Sequence, residues 1–212
     1  MLGGMPMENK DSKRAFNEMY MIALKRLENK SPEEIAKNAG VEFCKEDSTF
    51  KIKSLDKVVE LAYPSYKSKD KLNDWYILIL LHYLADGTPL YHQAVHFGEL
   101  KDGLIRGSRF DKTVEREFAS FLSDKKDEDI INLCKSLGGE IIKSKFDLSV
   151  VFYLFPNYPV TLNIWFADDE FGAVGSMLVD KSADNYLTIE DDVVAGEFML
   201  RYIFERYNEL YM

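Results

Sequence analysis

The chain of 212 residues carries 46% hydrophobic side chains, 13% aromatics and a formal net charge of −9. At that length we expect one domain, with a core large enough to need neither disulfide nor metal. An isoelectric point near 5.0 repels phosphate backbones and anionic lipid, so no nucleic acid and no membrane is expected as a partner; a small molecule or a protein, basic where charge decides, remains.

Residues 1–10, polar with glycine and methionine, read as a flexible N-terminus ahead of a single domain over residues 11–212. They lack the basic-then-apolar order of a secretory leader, so a cytoplasmic setting is expected. Phe16, Met19, Tyr20, Ala23, Leu24 and Leu27 then fall on one stripe of a helix. Ser31-Pro32-Glu33-Glu34 combines a capping hydroxyl, a proline suited to the first helical position and a carboxylate three residues after the cap, and Gly40 closes this short helix. Val41 to Cys44 and Phe50 to Lys53 alternate apolar with polar around Glu46-Asp47-Ser48, the pattern of a half-buried hairpin.

Leu72, Trp75, Tyr76, Ile79, Leu80, Tyr83 and Leu84 form a second apolar stripe, ended by Asp86-Gly87 and Pro89, and this helix should lie deep in the core. Its apolar run from Trp75 to Leu81 is far shorter than the ~20 residues that span a bilayer. From Tyr91 to Phe110 the periodicity fades around Gly98, Gly103 and Gly107, which reads as long loops with a turn of helix at most. Val114, Phe118 and Phe121, then Ile130, Leu133 and Leu137 before Gly138-Gly139, predict two more helices.

Beyond them the period becomes extended. Ile141-Ile142, Leu148 to Phe155, Val160 to Phe166 and Met177 to Val179, separated by Pro156, Pro159, Gly172 and Gly175, predict an antiparallel meander. Thr188 to Asp191 opens a last helix whose stripe of Ala195, Phe198, Met199, Tyr202 and Ile203 should pack on the sheet. The expected fold class is therefore α+β: N-terminal and central helices on an antiparallel sheet built mainly from the C-terminal half, closed by a C-terminal helix.

Cys44 and Cys134 are too few for a cysteine-ligated metal and read as packed small hydrophobes. His92 and His96 would share a face if helical and could hold a metal with Glu99, but without further ligands they read as loop histidines, and no metal is assigned. His82, inside the Trp75 to Leu84 helix, should be a satisfied, buried or half-buried side chain. Asp168-Asp169-Glu170 follows the strand bearing Trp165 and reads as a solvated turn, lacking the alternation and glycine of a calcium loop. Asp180, Ser182, Tyr186, Glu190 and Asp191 sit between the last strand and last helix, where capping and turn bonding compete with ligand binding. Ser120, Ser149 and Ser176 have no glycine elbow, and phosphate-loop and dinucleotide fingerprints are missing, so the cofactor, if any, is unknown.

Strand alternation sets Asn163 and Trp165 on one face and Ile164 and Phe166 on the other. A buried Trp165 is a packing residue; an uncovered one anchors a site. The ligand-binding candidates are Glu99, Trp165, Asp169, Glu170, Asp180 and Tyr186, gathered on strand ends and loops where a rigid scaffold presents binding groups.

Three stretches together resemble a known family: Leu78 to Leu90, Val95 to Leu100, and a final block running from Phe155-Pro156 through Trp165, Asp169-Glu170-Phe171, Val179 to Ser182, Tyr186-Leu187 and Glu190-Asp191. From about Leu72 onward the chain resembles the bacterial and archaeal family catalogued as domain of unknown function 3786. That resemblance implies a setting in anaerobic metabolism, often near corrinoid-dependent methyl transfer, and in some members an added cysteine-rich iron–sulfur segment that this chain lacks. His96 and Gly98 stand where the family pattern has serine and arginine, which weighs against a catalytic His96.

Three functions follow as expectations. One is a ligand- or partner-binding accessory module with a pocket between the Tyr91 to Phe110 loops and the Trp165 to Asp191 block. The second is an enzyme pairing Glu170 or Asp180 as base with Glu99, since general acid–base work needs two carboxyls of separated pKa. The third is a structural subunit whose acidic surface meets a basic partner.

Overall fold

The computed structural model describes residues 10–212, so most of the stretch expected to be a flexible N-terminus lies outside the described residues. Helix α1 (Lys10–Leu27) buries Ala23 and Leu27. In α2 (Pro32–Ala39) the Ser31 hydroxyl accepts from the Glu34 amide and Gly40 closes the helix at φ 66°, both at the positions read from sequence.

β1 (Glu42–Cys44) and β2 (Thr49–Ser54) form the expected hairpin, but β2 also pairs along its whole length with β3 (Lys57–Ala62), and β4 (Lys67–Ser68) adds an edge. This four-stranded antiparallel sheet is a second sheet beyond the one read from sequence. Val59 and Leu61 alternate inward on β3, a two-residue signal too short to stand out beside lysine and glutamate. The Leu55 amide donates to Tyr153 O at 2.9 Å, joining this sheet to the other.

α3 (Asp74–Asp86), capped by the Asn73 side chain, is buried over most of its surface, as its apolar run predicts. Tyr91–Phe110 differs from the expected loops. β5 (Ala94–Val95) pairs with the end of the second sheet, a 3-10 turn covers Phe97–Glu99, and α4 (Arg106–Leu122) begins inside the stretch. Gly107 belongs to that helix: an added Cβ would lie 2.1 Å from Phe97 O, so its glycine marks close approach rather than a loop.

After α5 (Asp127–Ser136), strands β6 (Glu140–Ile141), β7 (Leu148–Phe155), β8 (Tyr158–Trp165) and β9 (Val174–Asp180) form the predicted meander, with β5 on its far edge. Pro159 lies inside β8 rather than between strands. One face, carrying Val150, Phe152, Leu162, Ile164, Met177 and Val179, is fully buried. Gly175 lets that face meet α4, since a Cβ there would fall 2.6 Å from Phe118 Cβ. On the other face Val151, Tyr153, Pro159, Thr161 and Leu178 are half-buried. Cys134 on α5 is buried, and burial pushes its thiol up to about 12.

A 3-10 turn (Lys181–Asn185) leads to α6 (Ile189–Tyr211), opened by a reciprocal capping box between Thr188 and Asp191. α6 buries Ala195, Met199 and Ile203 of the expected stripe and leaves Phe198 and Tyr202 half-buried, but its nearest backbone neighbours are α3, α4 and α5 rather than the sheet it was expected to cover. The result is a mixed α+β fold with six helices and two antiparallel sheets among the described residues. No described helix is long and apolar enough to cross a membrane.

Candidate functional site

β8 and β9 are antiparallel, with Trp165 opposite Val174, while Asp180 ends β9 opposite Ala94 of β5. Six residue steps separate Val174 from Asp180, roughly 20 Å at the usual strand rise. Trp165, Asp169 and Glu170 therefore cluster at one end of the five-stranded sheet, and Asp180, Tyr186 and Glu99 at the other. Of the two pairings expected for Glu99, the one with Glu170 is separated by the length of the sheet, and only Asp180 shares its end.

At the second end Asp180 and Tyr186 are engaged internally. Asp180 is buried and accepts from the amides of Tyr91 (3.0 Å), Gln93 (2.8 Å) and Ser182 (3.0 Å). Burial pushes its carboxyl up, yet the Ser182 side chain together with these amides outweighs it and holds the pKa below the ordinary value. The Asp180 carboxylate thus fastens the Tyr91–Gln93 segment to β9. Tyr186 is buried, and its hydroxyl donates to Asn157 O at 2.8 Å. Glu99 is exposed. His92 and His96 are exposed on either side of β5, not on a helix, and His96 Nδ1 lies 3.8 Å from Asp111 Oδ1. Among the described residues no group of three His, Cys, Asp or Glu side chains is placed to hold a metal ion.

At the buried start of α6, Asp191 is among the residues read from sequence, while Asp192 and its partner Tyr158 are not. Asp192 is enclosed and accepts from the Tyr158 hydroxyl at 2.8 Å. Burial, with Asp191 and Asp184 nearby, raises its carboxyl to about 8 against the lowering bond from Tyr158. Asp191 moves the other way: burial raises it, but His82 Nδ1 at 3.1 Å and the Thr188 groups hold it low. His82 is the half-buried, satisfied side chain expected. Tyr83 and Asn157 extend the network, the Asn157 amide donating to Tyr83 Oη at 2.9 Å and that hydroxyl donating to Ala39 O. Two adjacent acids with separated pKa values are what acid–base chemistry uses, but Asp192 and Tyr158 are enclosed, so the arrangement locks α2, α3, β8 and α6 together. A sequence signal existed: Asp192 lies three and seven residues before Ala195 and Met199, on the apolar stripe itself.

The Trp165 end is built differently. Ile164 is fully buried, so the alternation turns Trp165 outward, and it is 42% exposed. Its ring packs on Phe146, centroids 5.3 Å apart, at the β6–β7 connection. That connection is pinned by a hydroxyl chain, Ser144 to Ser149 and Ser149 to Asn163, each 2.6 Å. It is tied to the β8–β9 connection by the Phe166 amide donating to Asp147 at 2.9 Å. Within the latter, Asp168 accepts from the amides of Glu170 and Phe171, an Asx turn, while its own amide donates to Phe171 O. These bonds hold both loops in place and leave Val174, 48% exposed and opposite Trp165 on β9, and Phe171 of the β8–β9 connection, 70% exposed. Among the described residues the Asp169 and Glu170 carboxylates make no hydrogen bond or ion pair. The end of the sheet is a firm platform of exposed aromatics rimmed by uncommitted acids.

Residues 31–202 match the model of a family described as a domain of unknown function, DUF3786. No curated protein and no solved structure matches the chain.

Proposed function

This chain belongs to the DUF3786 family, and from that premise we propose that it acts as a partner-binding accessory module that docks through the Trp165 end of its five-stranded sheet. The observation supporting this reading is the platform of Trp165, Phe171 and Val174, held open by loops bonded to one another. Contiguous exposed aromatic surface on a rigid scaffold is what interfaces use, and aromatic anchors contribute most of the binding energy there. The alternative of an enzyme using paired carboxylates draws less support, because Glu99 and Glu170 lie at opposite ends of the sheet and Asp180 is engaged by three amides. The reading includes the cytoplasmic setting expected from the sequence and the anaerobic one implied by the family resemblance.

The test compares wild type with a Trp165→Ala, Phe171→Ala double variant of equal melting temperature in native lysate. Lysine cross-links are mapped on the captured complexes. Support is a partner whose cross-links fall on Lys143 and Lys145, next to the platform, and whose capture is lost in the variant. Undiminished capture by the variant rejects the reading.

A further inference from the structure

Resting on the docking surface proposed above, we infer the chemistry of what docks: a segment of a protein partner presenting an arginine or lysine side chain between apolar residues, its cation lying over the open ring of Trp165 and its apolar neighbours on Phe171 and Val174. Three observations converge on this occupant. First, the platform already accommodates a cation of its own chain, since Lys145 Nζ lies 5.4 Å from the centroid of the Phe146 ring, which itself packs on Trp165. An aromatic face attracts a cation through its quadrupole, and tryptophan does so best.

Second, the acids of the two loops divide by role. Asp147 and Asp168 are engaged by the amides of Phe166, Glu170 and Phe171, whereas the side chains of Asp169 and Glu170 are exposed and unpartnered among the described residues. The four acids of the two loops outnumber Lys143 and Lys145 of the same loops, and two of the acids are uncommitted, so the local charge favours a cation and repels an anion, and the whole-chain charge of −9 adds to that bias. Third, Val174, opposite Trp165, and Phe171 in the connection that follows β8 remain uncovered, so a lone cation would leave apolar area in water. An arginine between apolar residues covers both kinds of surface, and its planar group also stacks on an indole.

The probes are three capped peptides of sequence Leu-Arg-Leu-Arg, Leu-citrulline-Leu-citrulline and Leu-Glu-Leu-Glu. Binding is followed by Trp165 emission in a Trp75→Phe background and repeated by calorimetry on the unaltered chain. The arginine peptide is expected to give a saturable change. Citrulline replacement is expected to weaken it about tenfold, the size of one exposed cation–π contact and ion pair lost together, and Asp169→Asn with Glu170→Gln in the protein about threefold, the ion-pair share alone. Equal binding of the arginine and citrulline peptides, preference for the glutamate peptide, or no saturable change with any of them overturns the inference. If the native partner is lost from the Trp165→Ala, Phe171→Ala variant while arginine and citrulline peptides bind alike, the docking surface stands and the basic segment falls. A partner retained by that variant removes both.

Discussion

Asp192 and Asp180 are buried carboxyls with opposite consequences for stability. Asp192, raised by burial to about 8, keeps a proton in the folded chain that the unfolded chain loses above about pH 4, so its contribution to stability falls as pH rises between those values. Asp192→Asn preserves an acceptor for the Tyr158 hydroxyl and removes the ionisation. The variant should melt higher than wild type, with the gap widening from about pH 4 to about pH 8; a gap that narrows over that range contradicts the account. Asp180, held below the ordinary value by its amide donors, contributes stability above that value and loses it as pH falls. Asp180→Asn, whose amide cannot accept from all three donors, should lose about 1–3 kcal/mol by denaturant titration, with no change in the slope of the transition. Neither role had a local signal for Asp180: two of its donors, the amides of Tyr91 and Gln93, are 89 and 87 residues away. Trp165 was more legible, because strand alternation reduced it to two outcomes and the burial of Ile164 selects the exposed one.

Elements with their own caps and stripes were read from sequence nearly to the residue, as Ser31, Gly40, Gly87 and Thr188 show for α2, α3 and α6. α4 was not, because Gly103 and Gly107 carry the composition of a loop while serving close backbone approach to Phe97 and Leu100. That difference is measurable. Gly107→Ala would drive a methyl into Phe97 O and should destabilise by several kcal/mol or abolish folding, whereas Gly172→Ala, with nothing within 4 Å of the new atom, should stay within about 0.5 kcal/mol of wild type. Equal effects at the two sites would show that α4 does not press on the 3-10 turn before it. The capping box gives a milder test: Thr188→Ala should cost about 0.5–2 kcal/mol, read from equilibrium unfolding.

At the scale of the whole molecule one buried cluster runs from α1 through both sheets to α6. The chain is expected to fold without metal, so a strong chelator should leave its melting temperature unchanged, and a fall of many degrees would contradict this. The α+β class was legible because helical stripes and strand alternations occupy separate runs of the chain, while the joint between the sheets, the Leu55 amide on Tyr153 O, links residues too distant for any periodicity to reveal. The two ends of β9 are joined by one strand, yet one is sealed by tyrosines and acids and the other faces solvent.

Cys134 gives the folded chain an internal clock. Its thiol is buried and held up to about 12, so an alkylating reagent can modify it only in molecules that have opened around α5. In a Cys44→Ser background the labelling rate levels off at high reagent concentration at the rate of opening around α5, and comparing that rate with the global unfolding rate separates local fraying of α5 from loss of the entire core.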